Sequence, residues 1–158
     1  MSDLSPSVTL SIPLPYSLDD RIYVHITHRA KAITIFITTA SPEESSGSSP
    51  TPLGSFVYAL PDRYNPSQPL STPLCTVEPT VEFTTRLAKL VARRTGLPVY
   101  VGNSVSFRST GLGGTVEEEM EAFRAVVEAV VAGLEGLKKG GEKVNGVADG
   151  VGGLSIGV

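Results

Sequence analysis

Cysteine is nearly absent from this sequence, and its scarcity limits the stabilising sites that the chain can build. Cys75 is the single cysteine among 158 residues, so neither an internal disulfide nor a zinc site made of several thiolates can form. One unpaired thiol is ordinary in a reducing compartment. The first residues also show neither the charged start nor the apolar run of a signal peptide. We therefore expect a protein of the cytoplasm or the nucleus.

A basic excess and long apolar runs are missing as well. The 13 Lys and Arg residues are outnumbered by 16 Asp and Glu residues, which gives a net charge of −3. Proteins that bind nucleic acid by bulk charge need a clear basic excess. No run approaches the roughly 20 apolar residues that span a bilayer. We therefore expect no nucleic-acid partner and no membrane partner.

The hydrophobic patterning predicts an α+β fold. Alternation of apolar and polar residues indicates strands, whereas apolar residues spaced three and four apart indicate helices. Thr115 and Glu118 form a capping-box pattern ahead of the second helix, and Gly96 with Pro98 ends the first. The predicted strands are 7–12, 21–28, 32–39, 54–60, 97–102 and 104–108, and the predicted helices are 80–95 and one that follows residue 115. We expect a mostly antiparallel β-sheet of about five to six strands with two main helices packed on one face.

Three segments outside these elements are rich in loop-forming residues. Residues 41–53 are rich in Ser and Pro, which predicts a flexible loop. Residues 61–73 are punctuated by proline and are expected to connect two elements without regular structure. Residues 138–158 are rich in glycine and are expected to form a disordered tail. The sequence thus predicts a single domain over residues 1–137.

The predicted hairpin at 21–39 has two chemically different faces. One face is aliphatic and suits packing beneath helices. The other is aromatic and rich in hydroxyl groups, and it carries Tyr23, His25, Thr27, Thr34, Phe36 and Thr38. Neither Lys nor Glu occurs there, and interface cores are enriched in Tyr and Phe and depleted of Lys and Glu. The residues alone leave two interpretations, a solvated face or an interface with the sheet of another protein.

No pattern of catalytic or metal-binding residues is evident. The two histidines, His25 and His28, point to opposite faces of one strand, so they cannot hold one metal together. Neither has a carboxylate or nucleophile at a characteristic spacing. The glycines at 111–114 precede a helix as in a phosphate-binding loop, but the three glutamates that follow would repel phosphate. We expect no enzyme and no cofactor.

A basic stripe lies on the first predicted helix. Arg86, Lys89 and Arg93 fall on one side of that helix. Such stripes are commonly solvated helix faces, and they can also dock an acidic protein surface.

Several segments resemble one family when they are taken together in order. Residues 86–96 (RLAKLVARRTG) with 98–101 (PVYV) resemble the helix-then-strand signature of proteasome assembly chaperone 4. The triplet 62–64 (DRY) and the segment 69–72 (PLST) resemble the loop before that helix. Residues 118–123 (EEMEAF) resemble the C-terminal helix of the family, and the hairpin lies where the family has its first strands.

The resemblance implies a non-enzymatic chaperone of 20S proteasome assembly. It implies a heterodimer with a protein similar to proteasome assembly chaperone 3, which binds α-type subunits, notably α5, during early α-ring formation. Because the partners of this family associate through their sheets, the resemblance favours the hairpin face as the partner interface. The charge pattern alone suggests Arg86, Lys89 and Arg93 as contacts to the α subunit. The alternatives are a small homodimeric adaptor that pairs through its sheet and, third, an enzyme built around His25.

Overall fold

A computed structural model describes residues 5–42, 50–108 and 110–156, with side chains as far as residue 140. The six strands are β1 (Ser7–Pro13), β2 (Arg21–His28), β3 (Ile33–Ala40), β4 (Ser55–Leu60), β5 (Leu70–Cys75) and β6 (Val99–Ser104). The two helices are α1 (Glu78–Thr95) and α2 (Val116–Ile156). Within the described ranges no helix is long and apolar enough to cross a bilayer.

The strands form one sheet in the order β1-β2-β3-β6-β4-β5. Its neighbouring strands are antiparallel except for β3 and β6, which are parallel. A parallel pair needs a long crossover connection, and here β4, β5 and α1 lie between the two strands in the sequence. The predicted α+β fold with a mostly antiparallel sheet is confirmed.

Both helices cover the same face of the sheet. α1 lies over β4 and β6, and α2 lies over β1 and β2. The aliphatic hairpin face fills the space beneath them, and it consists of the buried residues Ile22, Val24, Ile26, Ile33, Ile35 and Ile37. Gly133 lets α2 approach closely, since a Cβ there would lie 2.8 Å from Ile26 Cδ1. Each buried aliphatic side chain contributes about 1.5–3 kcal/mol to folding.

The ends of α1 follow the local signals in its sequence. The helix begins two residues earlier than predicted, because Pro79 fits the first turn, where its missing N–H has no helical partner to bond. It ends at Gly96, which takes the left-handed conformation at φ 67° and donates its N–H to the Ala92 carbonyl at 2.9 Å. The predicted glycine stop is confirmed.

The start of α2 is organised around the buried carboxylate of Glu118. The capping box is present, because the Thr115 N–H donates to this carboxylate at 3.0 Å and the Glu118 N–H donates to Thr115 Oγ1 at 3.4 Å. The carboxylate also accepts from Thr110 Oγ1 and from the N–H groups of Leu112 and Gly114, at 2.7–2.8 Å. Burial on its own raises the pKa of Glu118, but these hydrogen bonds outweigh it and lower the pKa below its usual value. The glycine loop therefore cradles the protein's own anion.

Two element predictions are wrong. Residues 70–75 form β5, although prolines made 61–73 resemble an irregular connection. β5 is the edge strand of the sheet and has a neighbour on one side only. A proline, which lacks the N–H that a strand between two neighbours would need, is tolerated in such a strand. Residues 105–108 are not a strand, since the N–H groups of Val105 and Ser106 donate to the side chains of Asn103 and Thr39 instead of a neighbouring strand.

The structure describes the two segments predicted to be flexible to different extents. Residues 43–49 of the loop predicted at 41–53 lie outside the described residues. The backbone of α2 is helical as far as Ile156, which differs from the disordered tail expected over 138–158. No proline follows Pro98 in the sequence, so no residue in this range prohibits a helix sterically. The domain boundary at residue 137 stays a prediction.

Replacing Glu118 by glutamine should destabilise the protein at neutral pH more than at acid pH. Because the folded pKa is lowered, the ionised carboxylate stabilises the native state above its unfolded pKa of about 4.3. That stability is lost as the pH falls through the folded value. The difference in urea midpoint between the wild type and Glu118→Gln should therefore be large at pH 7 and should shrink as the pH falls toward the folded pKa. Glu117→Gln, in the same helical turn but exposed, is the control, and a difference independent of pH would contradict the assignment.

Candidate protein interface on the open sheet face

The open face is the side of the sheet that neither helix covers. It brings together all six residues predicted from the hairpin, in three cross-strand pairs: Tyr23 opposite Thr38, His25 opposite Phe36, and Thr27 opposite Thr34. Phe36 is 44% exposed, which is high for a phenylalanine in the middle of a sheet. The structure thus places the predicted residues on one continuous surface, and their role as a partner interface stays a prediction.

Three further aromatic residues extend this surface, and the sequence reasoning missed them. Tyr58 and Tyr100 have ring centroids 4.7 Å apart, Tyr100 and Phe56 6.1 Å, and Phe56 and Phe36 6.3 Å. We call these four rings the aromatic row. The alternation of large and small residues in Ser55–Leu60 could have placed Phe56 and Tyr58 on one face. Only the sheet order sets them beside the hairpin, because β6 inserts between β3 and β4.

Gly102 makes the aromatic row possible at its centre. It lies opposite Phe36 on one neighbouring strand and opposite Phe56 on the other. A Cβ at this position would lie 2.7 Å from Phe36 Cδ1, closer than real carbon atoms approach. The two phenylalanine rings are parallel to within 2° across the glycine. The result is a flat apolar area rather than a set of separate side chains.

The imidazole of His25 on the open face is hydrogen-bonded within the sheet. His25 Nδ1 and Thr9 Oγ1 are hydrogen-bonded at 2.8 Å, and His25 Nε2 lies 3.4 Å from Thr27 Oγ1. Hydroxyl groups are the ring's hydrogen-bond partners here, and no carboxylate is among them. No group of three or more His, Cys, Asp or Glu residues in the described part of the chain could hold a metal ion. The geometry around His25 fits a structural histidine.

Among the described residues of the strands, charge on this face is confined to one corner. Arg21 shares the face of Tyr23 at the start of β2, and its guanidinium donates to Ser11 Oγ at 2.6 Å and to the Ser11 carbonyl at 3.1 Å. Beside Phe36 the surface dips into a shallow depression of about 250 Å³ that Leu53 and Gly102 also line. An apolar centre with a charged margin is the usual composition of a protein interface.

The basic stripe lies on the opposite side of the domain. Arg86, Lys89 and Arg93 are all exposed on α1. Arg86 forms an ion pair with Glu82, one turn earlier in the helix, so its charge is partly offset. Lys89 and Arg93 form no ion pair within the described residues. The structure therefore separates the stripe from the open face by the full thickness of the sheet and helix layers.

Comparisons with known proteins agree with this architecture. Residues 21–105 match the proteasome assembly chaperone 4 family, which is more than half of the chain. A chain from the crystal structure of a chaperone complex for yeast 20S proteasome assembly is similar, with a TM-score of 0.57 and 17% identity over 85% of this chain and 98% of that one. At that identity the likeness shows a shared fold. No curated protein matches. Because the family match spans the hairpin, both strands that complete the aromatic row and all of α1, the chain belongs to the proteasome assembly chaperone 4 family.

Proposed function

We propose that this protein is a non-enzymatic chaperone of 20S proteasome assembly that works as a heterodimer with a protein similar to proteasome assembly chaperone 3. The heterodimer binds α-type subunits, with α5 as the expected client, and promotes early α-ring formation in the cytoplasm or the nucleus. Membership of the proteasome assembly chaperone 4 family supports a chaperone role. The observation that carries the proposed pairing is the aromatic row on a sheet face that the chain's own helices leave uncovered.

The proposed partner contact is sheet against sheet. Two sheets pack face to face about 10 Å apart with their side chains interdigitated. Phe36, Phe56 and Tyr58 present ring faces and edges of the kind that dominate interface energetics. The described strand residues of this face include no Lys, Asp or Glu, so burying them leaves no unpaired charge of those types. Arg21 then falls at the margin, where charges tune the rate and specificity of encounter.

The proposed client contact is the exposed side of α1. Because Arg86, Lys89 and Arg93 lie on the layer opposite the open face, a partner sheet and an α subunit can bind at the same time. Charge complementarity at such a surface selects acidic patches and speeds their encounter. Binding of this kind holds a subunit transiently, and subunits that arrive later can displace the chaperone by competing for the same surface.

Substituting glutamate for Phe36 should abolish partner binding and leave the domain folded. The side chain is 44% exposed in the isolated chain, so a carboxylate there stays solvated until a partner covers it. Burying it in an apolar contact would cost affinity, and we expect a loss of about 100-fold or more, or ~3 kcal/mol at 1.4 kcal/mol per tenfold. Titration calorimetry with the co-purifying partner measures the loss, and circular dichroism checks folding.

Leu18→Glu is the matched control, because Leu18 is fully exposed and lies outside the open face. It should bind the partner as the wild type does. Undiminished binding by Phe36→Glu would contradict the interface. The molecular mass of the purified chain in solution distinguishes the heterodimer from the homodimeric adaptor, because the adaptor predicts a stable dimer of the chain alone.

Reversing two charges of the stripe should weaken client capture without affecting partner binding. The double variant Arg86→Glu with Lys89→Glu removes two cations and adds two anions on the exposed side of α1. We expect α5 capture to fall about tenfold, since losses at rim charges are moderate, and to become less sensitive to salt. Pull-down of purified α5 by the heterodimer measures this. The control variant Lys31→Glu with Arg63→Glu makes the same change in net charge at exposed loop positions away from α1. Equal capture of α5 by the two variants would exclude the stripe as the client contact.

A further inference from the structure

An apolar groove lies between the outer surfaces of α1 and α2. Phe83 and Phe123 lie at its base, with ring centroids 5.1 Å apart and an interplanar angle of 82°. Met120 and Val116 line it and are 49% and 72% exposed. The groove has a volume of about 360 Å³. It therefore offers a seat for an apolar side chain from outside the domain.

The two helices that border the groove run in the same direction. α1 starts at the end of β6, because Thr80 donates to Ser55 at 2.8 Å and Ser55 lies opposite Asn103. α2 starts beside the beginning of β2, because the Gly111 N–H in the loop before α2 donates to the Tyr16 carbonyl in the β1–β2 connection at 3.0 Å. It reaches Ile26, near the end of β2, with Gly133. Since β2 and β6 have opposite directions, α1 and α2 are parallel.

This parallel arrangement sorts the charges of the groove by sign. Glu82 and Glu119 line it on the N-terminal side of the two helices, and Arg86 and Arg124 line it on the C-terminal side. Arg86 pairs with Glu82, whereas Arg124 forms no ion pair within the described residues. Lys89 extends the positive end by one more turn of α1. The groove thus has an apolar base, an acidic end and a basic end.

The charge pattern distinguishes between kinds of ligand. Nucleic acid and anionic lipid present rows of phosphates, which Glu82 and Glu119 would repel at short range. A polypeptide segment can carry one apolar side chain and a carboxylate at a fixed spacing, which matches the apolar base and the basic end. The net charge of the chain is −3, so the basic end of the groove is a local feature. It favours the orientation in which the carboxylate of the segment lies at this end.

We infer that this groove binds a segment of an α-type subunit in which an apolar side chain lies close to carboxylates. The apolar side chain contacts Phe83, Phe123 and Met120, and the carboxylates lie against Arg124 and Lys89. The inference rests on the proposed client binding and adds the chemistry of the client segment, with the apolar contact as the anchor and the stripe as its charged margin.

Capture of purified α-type subunits by the intact heterodimer tests the inference. Met120→Glu places a carboxylate over the apolar base, and Arg124→Glu reverses the charge at the basic end. We expect each variant to capture the client at least tenfold more weakly and to bind the chaperone partner as the wild type does. Raising the salt concentration should weaken wild-type capture more than capture by Arg124→Glu, because the screened attraction is already gone in that variant. A photo-crosslinker at residue 120 should label a client peptide in which an apolar residue lies within a few positions of Asp or Glu.

Matched controls separate the groove from general effects of charge. Leu18→Glu adds a carboxylate at an exposed apolar residue elsewhere, and Arg63→Glu reverses an exposed cation on the β4–β5 connection. Both should capture the client normally, and a loss in either equal to that of the groove variants would overturn the inference. Normal capture by Met120→Glu and Arg124→Glu would overturn it while leaving the proposed function intact. Failure of the wild-type heterodimer to capture any α subunit would overturn both.

Discussion

Both helices of this chain pack on the same face of the six-stranded sheet, and the face that they leave open shapes the rest of the molecule. The aliphatic face is buried beneath α1 and α2. On the other face Phe36, Phe56, Tyr58 and Tyr100 form a row of neighbouring rings, and no helix or strand of the described part of the chain lies over them. Exposed apolar area of this kind marks a surface on which another molecule can bind. The proposed pairing follows from that surface.

The same layering separates two kinds of recognition. The open face is flat and nearly uncharged, which suits a lasting contact that depends on buried area. The helical side carries the stripe and the groove, where moderate apolar contact and charge suit a client that must later leave. The loop most similar to a phosphate-binding turn is already occupied by the carboxylate of Glu118, so this loop stabilises the fold and does not hold a phosphate.

Elements with strong local signals were predicted well from the sequence. The hairpin, the glycine stop of α1 and the capping box of α2 depend on residues within a few positions of one another. Two predictions failed where neighbours in space decide the outcome. β5 is a strand because β4 offers it an edge despite Pro73, and residues 105–108 leave the sheet because side chains accept their N–H groups.

Composition and alternation by themselves determined the fold class, the two unlike faces of the hairpin and the basic stripe, since each depends only on the period of a strand or a helix. The tertiary structure alone decided that Tyr100 and Phe56 continue the face of Phe36, and that Gly102 lies between them. It also brought Phe83 of α1 against Phe123 of α2. These contacts join residues far apart in the chain, so their geometry depends on the strand order and on the direction of the helices, which no local pattern encodes.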